Sequence, residues 1–339
     1  MSSVKKLILI LIIAAVVIAA GFITAGQVEK HLQTAPEGAG TSPSAGTSPL
    51  NDESDITYSI VYNGQEYTYN NDLKNILLIG VDNTGTIAEM TEESEDLCDF
   101  ILLVSMDETT GDCRMIQLNR DSMVDVTKIY SDGSSAVYYE SLAFAHSGTG
   151  SEEDKCASTV QTVSSLLYDI PIDNYVAINM GGIPPLVDLV GGVTLTIQYD
   201  FSQSETALSQ YAVGDVVTFD GDGALEYVRT RYYVGDNTNA DRMVRQQDFM
   251  IALSDVLRSR YNANPAFALE AYAAVTDYLV SDMSADELMD FADQLAQADT
   301  SDITIPDGEV TAGSQFTEFY IDEDALQQLV VEDFFLPAE

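Results

Sequence analysis

Four arginines lie close together in a chain that has few basic residues. The cluster consists of Arg229, Arg231, Arg242 and Arg245. The 339-residue chain contains 14 Lys and Arg against 55 Asp and Glu, which gives a formal net charge of -41. A guanidinium group binds phosphate in a planar, bidentate manner that lysine cannot match. The chain as a whole repels anions because of its negative charge, so the concentration of these arginines predicts a local site for a phosphate-bearing anion.

The spacing of the arginines indicates how they would converge on such an anion. If the chain is extended at Arg229 and Arg231, their side chains point to the same face, because the two residues are two positions apart. If a helix begins near Arg242, then Arg242, Arg245 and Gln246 fall at i, i+3 and i+4 and share a face. We expect the two faces to converge on one anion. Ion pairing of these arginines with acidic residues nearby in the sequence is the alternative.

Two aspartates are candidates for a metal site. Asp82 and Asp99 each lie at the end of an apolar run, where a carboxylate would be held at the rim of a sheet,. Mg²⁺ is commonly bound by one or two carboxylates together with phosphate oxygens and water. Aspartates also end strands as turn or cap residues, which is the alternative for both.

Two further charged residues follow a predicted strand directly. Arg120 and Asp121 come after the run that ends at Leu118, so Arg120 is placed to reach the same sheet edge. The two side chains are equally suited to a simple ion pair. We interpret His146 as a surface or turn residue, and the only other histidine, His31, falls beside a membrane-like segment. The sequence therefore offers no histidine-based catalytic triad.

The N-terminal region has the pattern of a membrane anchor. Lys5 and Lys6 precede an uncharged apolar run, and residues 7–26 are long enough to cross a bilayer as a helix,. The charge distribution places residues 1–6 in the cytoplasm and the remainder outside. Residues 27–55 are rich in Gly, Pro, Ser and Thr and are predicted to be a flexible linker. A cleaved signal peptide is the alternative.

Apolar periodicity predicts one extracytoplasmic α/β/α domain, with a mixed central sheet flanked by helices. A hairpin is expected at Asn63-Gly64, and 224–233 is predicted as a strand or as a short helix followed by a strand. The predicted strands are 75–81, 99–106, 113–118, 175–179 and 193–197, and the predicted helices are 159–168, 184–190, 242–260, 265–280 and 284–298. Residues 56–260 would form the catalytic domain, and 261–339 a helical and strand part packed on it.

Charge and cysteine content restrict the partners and the chemistry. Duplex nucleic acid is excluded as a partner, because affinity for it depends on many basic residues along the phosphates. Cys98, Cys113 and Cys156 do not stand at metal-ligand spacings and are expected to be buried as small apolar residues,. A disulfide between two of them is the alternative.

Five blocks of sequence, in order, resemble the LytR-CpsA-Psr family over about residues 73–257. They are NILLIGVD (75–82), DFILLVSMDETTGDCRMIQLNRD (99–121), IPIDNYVAINMGGIPPLVDLVGGV (170–193), GALEYVRTR (223–231) and DRMVRQQ (241–247). The C-terminal part resembles the tail of that family less distinctly.

The resemblance implies an extracytoplasmic phosphotransferase. Members of the family look like enzymes that move a glycopolymer from a polyprenyl-pyrophosphate carrier to peptidoglycan through a phosphodiester. It implies a central sheet with an apolar channel for the isoprenoid. It would make Asp82 and Asp99 ligands of Mg²⁺. The pyrophosphate clamp would comprise Arg120, Arg229, Arg231, Arg242 and Gln246, beside which the arginine cluster adds Arg245.

The mechanism that fits these residues is in-line phosphoryl transfer without a covalent intermediate. Asp82 and Asp99 would hold Mg²⁺, which would neutralise charge on the two phosphates, and the arginines, Arg229 and Arg231 among them, would hold the phosphate being transferred. A peptidoglycan hydroxyl attacks and polyprenyl phosphate leaves. Asp121 either accepts the hydroxyl proton or orients Arg120.

The chain departs from the family pattern in ways that favour two other functions. Leu97-Cys98 stands where many members have an arginine, Asn119 stands where they have a proline, and no basic residue occurs near Tyr139 and Glu140. A noncatalytic binder of polyprenyl pyrophosphate, or a pyrophosphatase that uses water as acceptor, would fit a weaker clamp. A DNA-binding regulator does not fit, because the cytoplasmic side has no basic helix-turn-helix segment.

Arg231→Ala should abolish transfer of the polymer while leaving the fold intact, since it removes a charge from the predicted clamp. A transfer assay combined with thermal unfolding checks this. Normal activity in the variant would contradict the assignment.

Overall fold

The computed structural model describes residues 58–91, 96–230, 233–234, 239–264, 267–295, 298, 303–313 and 317–338. The predicted membrane span, the linker and Arg231 lie outside the described residues. Within the described part of the chain, every helix is too short or too polar to cross a membrane.

Fourteen strands and seven α-helices make up the described fold. The strands are β1 (Ser59–Tyr62), β2 (Gln65–Tyr69), β3 (Leu73–Val81), β4 (Cys98–Asp107), β5 (Cys113–Leu118), β6 (Met123–Ile129), β7 (Ser135–Ser141), β8 (Asn174–Asn179), β9 (Val193–Thr196), β10 (Val216–Phe219), β11 (Leu279–Ser281), β12 (Gly308–Ala312), β13 (Thr317–Ile321) and β14 (Phe335–Pro337). The helices are α1 (Glu152–Leu166), α2 (Ile183–Val190), α3 (Gly221–Arg229), α4 (Asn239–Ala263), α5 (Phe267–Val275), α6 (Ala285–Leu295) and α7 (Glu323–Phe334).

The central sheet has five strands in the order β11-β8-β3-β4-β5. β3 pairs parallel with β8 and antiparallel with β4, so the sheet is mixed, as predicted. β3 and β4 are continuous apolar runs and are buried almost throughout, as expected of strands covered on both faces,. The β4–β5 hairpin is also confirmed, with Met106 paired to Cys113.

Helices cover both faces of this sheet. Alternate residues of β3 enter two separate apolar clusters, Ile76 and Leu78 in one and Leu77 and Ile79 in the other. The first cluster includes residues of α2 to α6, and the second includes residues of α1 and α7. The period-two alternation of a strand therefore produces the predicted α/β/α layering.

Turn and capping residues in the sequence set the ends of several strands and helices. Asn63 and Gly64 both have positive φ, 50° and 80°, and join β1 to β2 as a tight hairpin,. Gly191 ends α2 in the left-handed conformation with φ 84°,. Ser284 and Glu287 exchange the reciprocal hydrogen bonds of a capping box at the start of α6,.

Two predicted helices were wrong in extent, and of the two alternatives for 224–233 the structure shows the short helix. The helix predicted at 159–168 begins at Glu152, because Ser151 caps it and Asp154 completes a capping box,. The helix predicted at 265–280 ends at Val275, and β11 pairs instead with β8 at the sheet edge. Residues 221–229 are helical, since the Asp220 side chain accepts from the backbone N–H of Gly223 and starts α3,.

Gly181 is expected to tolerate no side chain. A Cβ at Gly181 would lie 2.2 Å from the carbonyl oxygen of Thr84, in the loop that follows β3. Gly181→Ala should therefore displace this loop and lower the free energy of unfolding by about 1–3 kcal/mol, measured by denaturant titration.

Gly223→Ala is the matched control for that substitution. Its added Cβ meets the Phe219 ring at 3.0 Å and the Asp220 carboxylate, which are side chains able to move. Alanine also favours the helical backbone of α3 over glycine. Equal destabilisation by the two substitutions would show that the Thr84 contact is unimportant.

Candidate active site

Strand topology brings the predicted acidic and basic residues to one edge of the sheet. Val81, the last residue of β3, pairs with Cys98 at the start of β4, so Asp82 and Asp99 lie at the same edge. β5 runs antiparallel to β4, with Leu118 opposite Ile101, and therefore delivers Arg120 to that edge. This is where ligands of open α/β sheets commonly bind.

Arg120 is held between two aspartates in the interior. Its Nη1 forms an ion pair with Oδ1 of Asp99, and its Nε lies 3.4 Å from Oδ1 of Asp121. All three residues are buried. The Arg120 carbonyl oxygen accepts hydrogen bonds from the Ala143 backbone N–H at 2.9 Å and from the Ser141 hydroxyl at 2.6 Å. Both the backbone and the guanidinium of Arg120 are thus fixed in place.

Asp82 is a largely buried carboxylate whose pKa is raised. Burial raises its pKa to about 8, although the charges of Arg229, Arg120 and Arg242 each act to lower it. Nη2 of Arg229 lies 3.6 Å from Oδ1 of Asp82. Of the clustered arginines, Arg229 and Arg242 therefore act on Asp82 together with Arg120, and Arg229 reaches it from the last turn of α3. The prediction that Arg229 lies on an extended segment was wrong, and Arg231 is outside the described residues.

α4 presents three of the predicted residues on one buried face. Arg242, Arg245 and Gln246 are each 1% exposed, which agrees with their i, i+3, i+4 spacing,. The charge of Arg242 acts on Asp82. Nε2 of Gln246 is buried, and no hydrogen-bond acceptor for it lies among the described residues.

Arg245 has different surroundings from Arg242. Its guanidinium carbon lies 5.3 Å from the ring centroid of Tyr199 and 5.6 Å from that of Phe201. Burial lowers its pKa. Its Nη2 donates to the carbonyl oxygen of Thr230, the residue between Arg229 and Arg231. Arg245 thus ties α4 to the segment that carries two other clamp arginines.

A second buried charged group lies beside the site and was missed by sequence reasoning. His146 is fully buried, so its interpretation as a surface or turn residue was wrong. Its Nε2 lies 3.2 Å from Oε2 of Glu152, and Lys155 Nζ donates to Oε1 at 2.8 Å. Burial opposes ionisation of Glu152, yet these two partners lower its pKa. The usable signal was the capping box at Ser151, which starts α1 early enough to place Glu152 and Lys155 on one helix face.

Asp96 and Glu140 each have a polar or basic partner near the edge of the site. Burial raises the pKa of Asp96, while its hydrogen bond from Asn83 Nδ2, at 2.9 Å, and the charge of Lys155 lower it. Lys128, on β6, lies 2.8 Å from Glu140 on β7. A basic group from the neighbouring strand of the same hairpin therefore does approach Glu140.

Asp82 and Asp99 place carboxylate oxygens, the ligand type that Mg²⁺ prefers, at the same edge of the sheet,. Among the described residues nothing donates a hydrogen bond to the buried Oδ2 of Asp99, and burial raises the pKa of Asp82 despite three nearby arginines. Such hard oxygen ligands fit Mg²⁺. The described residues contain no group of three or more His, Cys, Asp or Glu side chains arranged for a metal. Water and phosphate oxygens would have to supply the remaining ligands.

The sequence profile of the LytR_cpsA_psr family matches residues 43–332. The chain belongs to the LytR-CpsA-Psr family. It is 33% identical over 189 residues to biofilm regulatory protein A of Streptococcus mutans, a match that covers 54% of this chain and 43% of that protein. It is 28% identical over 242 residues to the polyisoprenyl-teichoic acid–peptidoglycan teichoic acid transferase TagU of Enterococcus faecalis, covering 70% and 72%.

Coverage of the relatives is uneven. A TagU of Halalkalibacterium halodurans is 30% identical over 156 residues, which is 46% of this chain and 44% of that protein. The match thus spans less than half the length of two of these three relatives.

Solved structures of this family share the fold. TagV of Bacillus subtilis superposes with a TM-score of 0.56 at 22% identity, covering 77% of this chain and 96% of that one. TagT bound to LI-WTA superposes with a TM-score of 0.52 at 21% identity, covering 77% and 89%. Both support the mixed central sheet flanked by helices that defines this LytR-CpsA-Psr domain.

Asp82→Asn should stabilise the metal-free protein increasingly as pH rises. Above about pH 4 the unfolded chain loses the Asp82 proton, whereas the folded protein keeps it until about pH 8,. The wild-type protein therefore loses stability across this window, and asparagine does not. We expect a gain in Tm of about 2 °C or more at pH 8 that disappears toward pH 4, measured by calorimetry in chelator.

Asp132→Asn is the control for this pH dependence. Hydrogen bonds from Ser134 lower the pKa of exposed Asp132, so its charged form is favoured in the folded state. Asparagine at that position should give no gain at high pH. An Asp82→Asn effect that is the same at pH 5 and pH 8 would contradict the role of burial.

Proposed function

We propose that this LytR-CpsA-Psr protein transfers a phosphoglycopolymer from a polyprenyl-pyrophosphate carrier to peptidoglycan. The observation that carries the proposal is the convergence of Arg120, Arg229 and Arg242 around Asp82 at one sheet edge. Three buried or half-buried guanidinium groups from separate elements suit a doubly charged phosphate ligand. The teichoic acid transferase names of its relatives support the same reaction class.

The arginines would act as a preorganised electrostatic clamp. Arg120 is fixed by Asp99 and Asp121, while Arg242 is held on the buried face of α4. Fixed charges in a water-poor site stabilise developing charge on phosphoryl oxygens without reorganising in the transition state. Gln246, whose amide nitrogen is buried with no acceptor among the described residues, would donate to a phosphate oxygen.

Asp82 and Asp99 would hold Mg²⁺. When bound, the ion would neutralise charge on the two phosphates, the usual contribution of magnesium to phosphoryl transfer. Because Asp82 must give up its proton to become a ligand, affinity for the ion should rise with pH up to about 8,.

The transfer step conserves atoms and charge. An acceptor hydroxyl oxygen forms a bond to the phosphorus that carries the sugar polymer. The bond from that phosphorus to the bridging oxygen breaks, and polyprenyl phosphate leaves with the electron pair. Asp121 lies beside Nε of Arg120, where it orients the guanidinium, and its carboxylate would be the group that takes up the hydroxyl proton.

The proposed location follows from the substrate. A polyprenyl carrier lies in the bilayer, and the apolar run 7–26, preceded by Lys5 and Lys6, would anchor the domain beside it,. We place the catalytic domain on the extracytoplasmic side, where peptidoglycan is found.

A noncatalytic pyrophosphate binder is the second candidate. Leu97 and Cys98, which replace the arginine found in many family members, are buried and contribute no charge to the site. Lys155 does lie close enough to act electrostatically on Asp96, although it is paired with Glu152 at 2.8 Å.

Arg242→Met should lower kcat/KM for polymer transfer by about 10²–10³. The assay uses the full-length protein in vesicles with a polyprenyl-pyrophosphate-linked oligosaccharide, Mg²⁺ and nascent peptidoglycan, and follows lipid and sugar products. Removal of Mg²⁺ by chelator should also stop transfer. Lipid bound but recovered unchanged would favour the binding protein, and phosphorylated polymer released without acceptor would favour the pyrophosphatase.

Arg260→Met on the same helix is the matched control. Arg260 donates from Nε and Nη2 to the carbonyl oxygen of Val190, at 3.1 and 2.6 Å, and so supports the end of α2. It should retain transfer activity even where its Tm falls. Equal losses of kcat/KM in the Arg242 and Arg260 variants would reject a specific role for Arg242.

A further inference from the structure

Two hairpins lie side by side next to the candidate active site. The β6–β7 hairpin begins just after Asp121, and the β12–β13 hairpin touches it where the Phe319 backbone N–H donates to the Asp121 carbonyl oxygen at 2.9 Å. A parallel bridge between Ser122 and Phe319 reinforces this junction. Both hairpins are therefore anchored to the chain segment that carries Arg120 and Asp121.

Exposed tyrosines occur on both hairpins. Tyr139 on β7 is 63% exposed and Tyr320 on β13 is 41% exposed. Val137, two residues before Tyr139 on the same side of β7, is 61% exposed,. The bridge between Ser122 and Phe319 places Tyr320 alongside Met123, and Met123 pairs with Ser141, two residues after Tyr139, so the two tyrosines lie on adjoining strands. We call Val137, Tyr139 and Tyr320 the tyrosine face.

Acidic residues surround the tyrosine face. Asp125 pairs directly with Tyr139 across the hairpin, and Glu309 pairs with Tyr320. The Tyr320 hydroxyl donates to Glu318 at 2.8 Å. These carboxylates lie in a protein whose overall charge is already -41. The face is therefore apolar at its centre and negatively charged at its rim.

The charge of the rim restricts what can cover this face. An anionic lipid surface, an anionic polymer and a second copy of this chain would all bring negative charge against negative charge. An uncharged sugar would not. Tyrosine rings offer flat apolar surfaces to the C–H faces of pyranose rings, and their hydroxyls remain available to sugar hydroxyl and amide groups.

The tyrosine face is also within reach of the reacting groups. Tyr139 lies two residues before Ser141, whose hydroxyl donates to the carbonyl oxygen of Arg120. Two residues of strand span about 7 Å. A sugar strand lying on the tyrosine face would thus extend over Arg120 and Asp121 within roughly the length of one or two sugar rings.

We infer that the tyrosine face binds the acceptor, as an uncharged strand of N-acetylated amino sugars that it holds in line with the Arg120–Asp121 edge. This rests on the proposed transfer to peptidoglycan and adds the place where the acceptor docks. The anionic donor polymer would be kept off the same surface by its acidic rim, so that donor and acceptor approach from different directions.

Binding can be measured without turnover, because the chain contains no tryptophan. Tyr139→Trp places the protein's single tryptophan on the tyrosine face while keeping an aromatic ring. Full-length protein in detergent should show a saturable fluorescence change with a hexamer of N-acetylglucosamine and none with poly(glycerol phosphate). Adding Tyr320→Ala to this background should weaken binding at least about threefold.

Kinetics provide the second measurement. Tyr139→Ala and Tyr320→Ala should each raise KM for peptidoglycan by about threefold or more, with a much smaller effect on KM for the lipid-linked donor and on kcat. Tyr139→Phe, which keeps the ring, should recover most of the lost affinity. Val216→Ala, at a residue 71% exposed on β10, is the control and should leave KM for peptidoglycan as in wild type.

The outcomes separate this inference from the proposed function. An active transferase in which both alanine variants keep the wild-type KM for peptidoglycan would overturn the acceptor site and leave the function standing. A saturable response of the Tyr139→Trp protein to the sugar hexamer, without any transfer by wild type, would support the site and overturn the function. A response to poly(glycerol phosphate) as strong as that to the hexamer would reject the choice of an uncharged ligand.

Discussion

The buried contact between Arg120 and Asp99 is the constraint on which the arrangement of the site depends. Asp99 is the second residue of β4, Arg120 follows the end of β5 by two residues, and both are buried. A buried ion pair gains little net free energy, yet losing one partner leaves a costly unpaired charge. The pair therefore fixes the register of β4 against β5 and positions Asp121 beside the same guanidinium. The remaining charged groups are arranged around this fixed point.

Asp82 combines burial with a titratable group in a way that opposes the stability of the free protein. Three arginines act on its carboxylate, but burial still keeps a proton on it up to about pH 8. Such a conflict between local stability and charge is typical of functional sites. The surrounding structure tolerates it because two clusters of apolar side chains, one on each face of the sheet, supply most of the burial.

Sequence patterns predicted the parts of this structure that depend on local chemistry. The apolar run that forms β3, the turn at Asn63 and the shared buried face of Arg242 follow from period, turn residues and helix geometry. Contacts between distant segments were not predictable in this way. β11 was assigned to a helix because only its pairing with β8 makes it a strand. His146 was placed at the surface because its contact with Glu152 forms only when α1 packs against the segment that carries His146.

The pairing of β14 with β2 has a consequence for how the domain is made. Phe335 lies opposite Tyr69, so strands from near both ends of the described chain close one three-stranded sheet. Contacts of such high sequence separation form slowly, since the intervening chain must first be ordered. During synthesis the early strands would remain unpaired on this side until β14 emerged. Folding of this domain is therefore expected to finish only after β14 has been made, and its incomplete sheet needs protection until then.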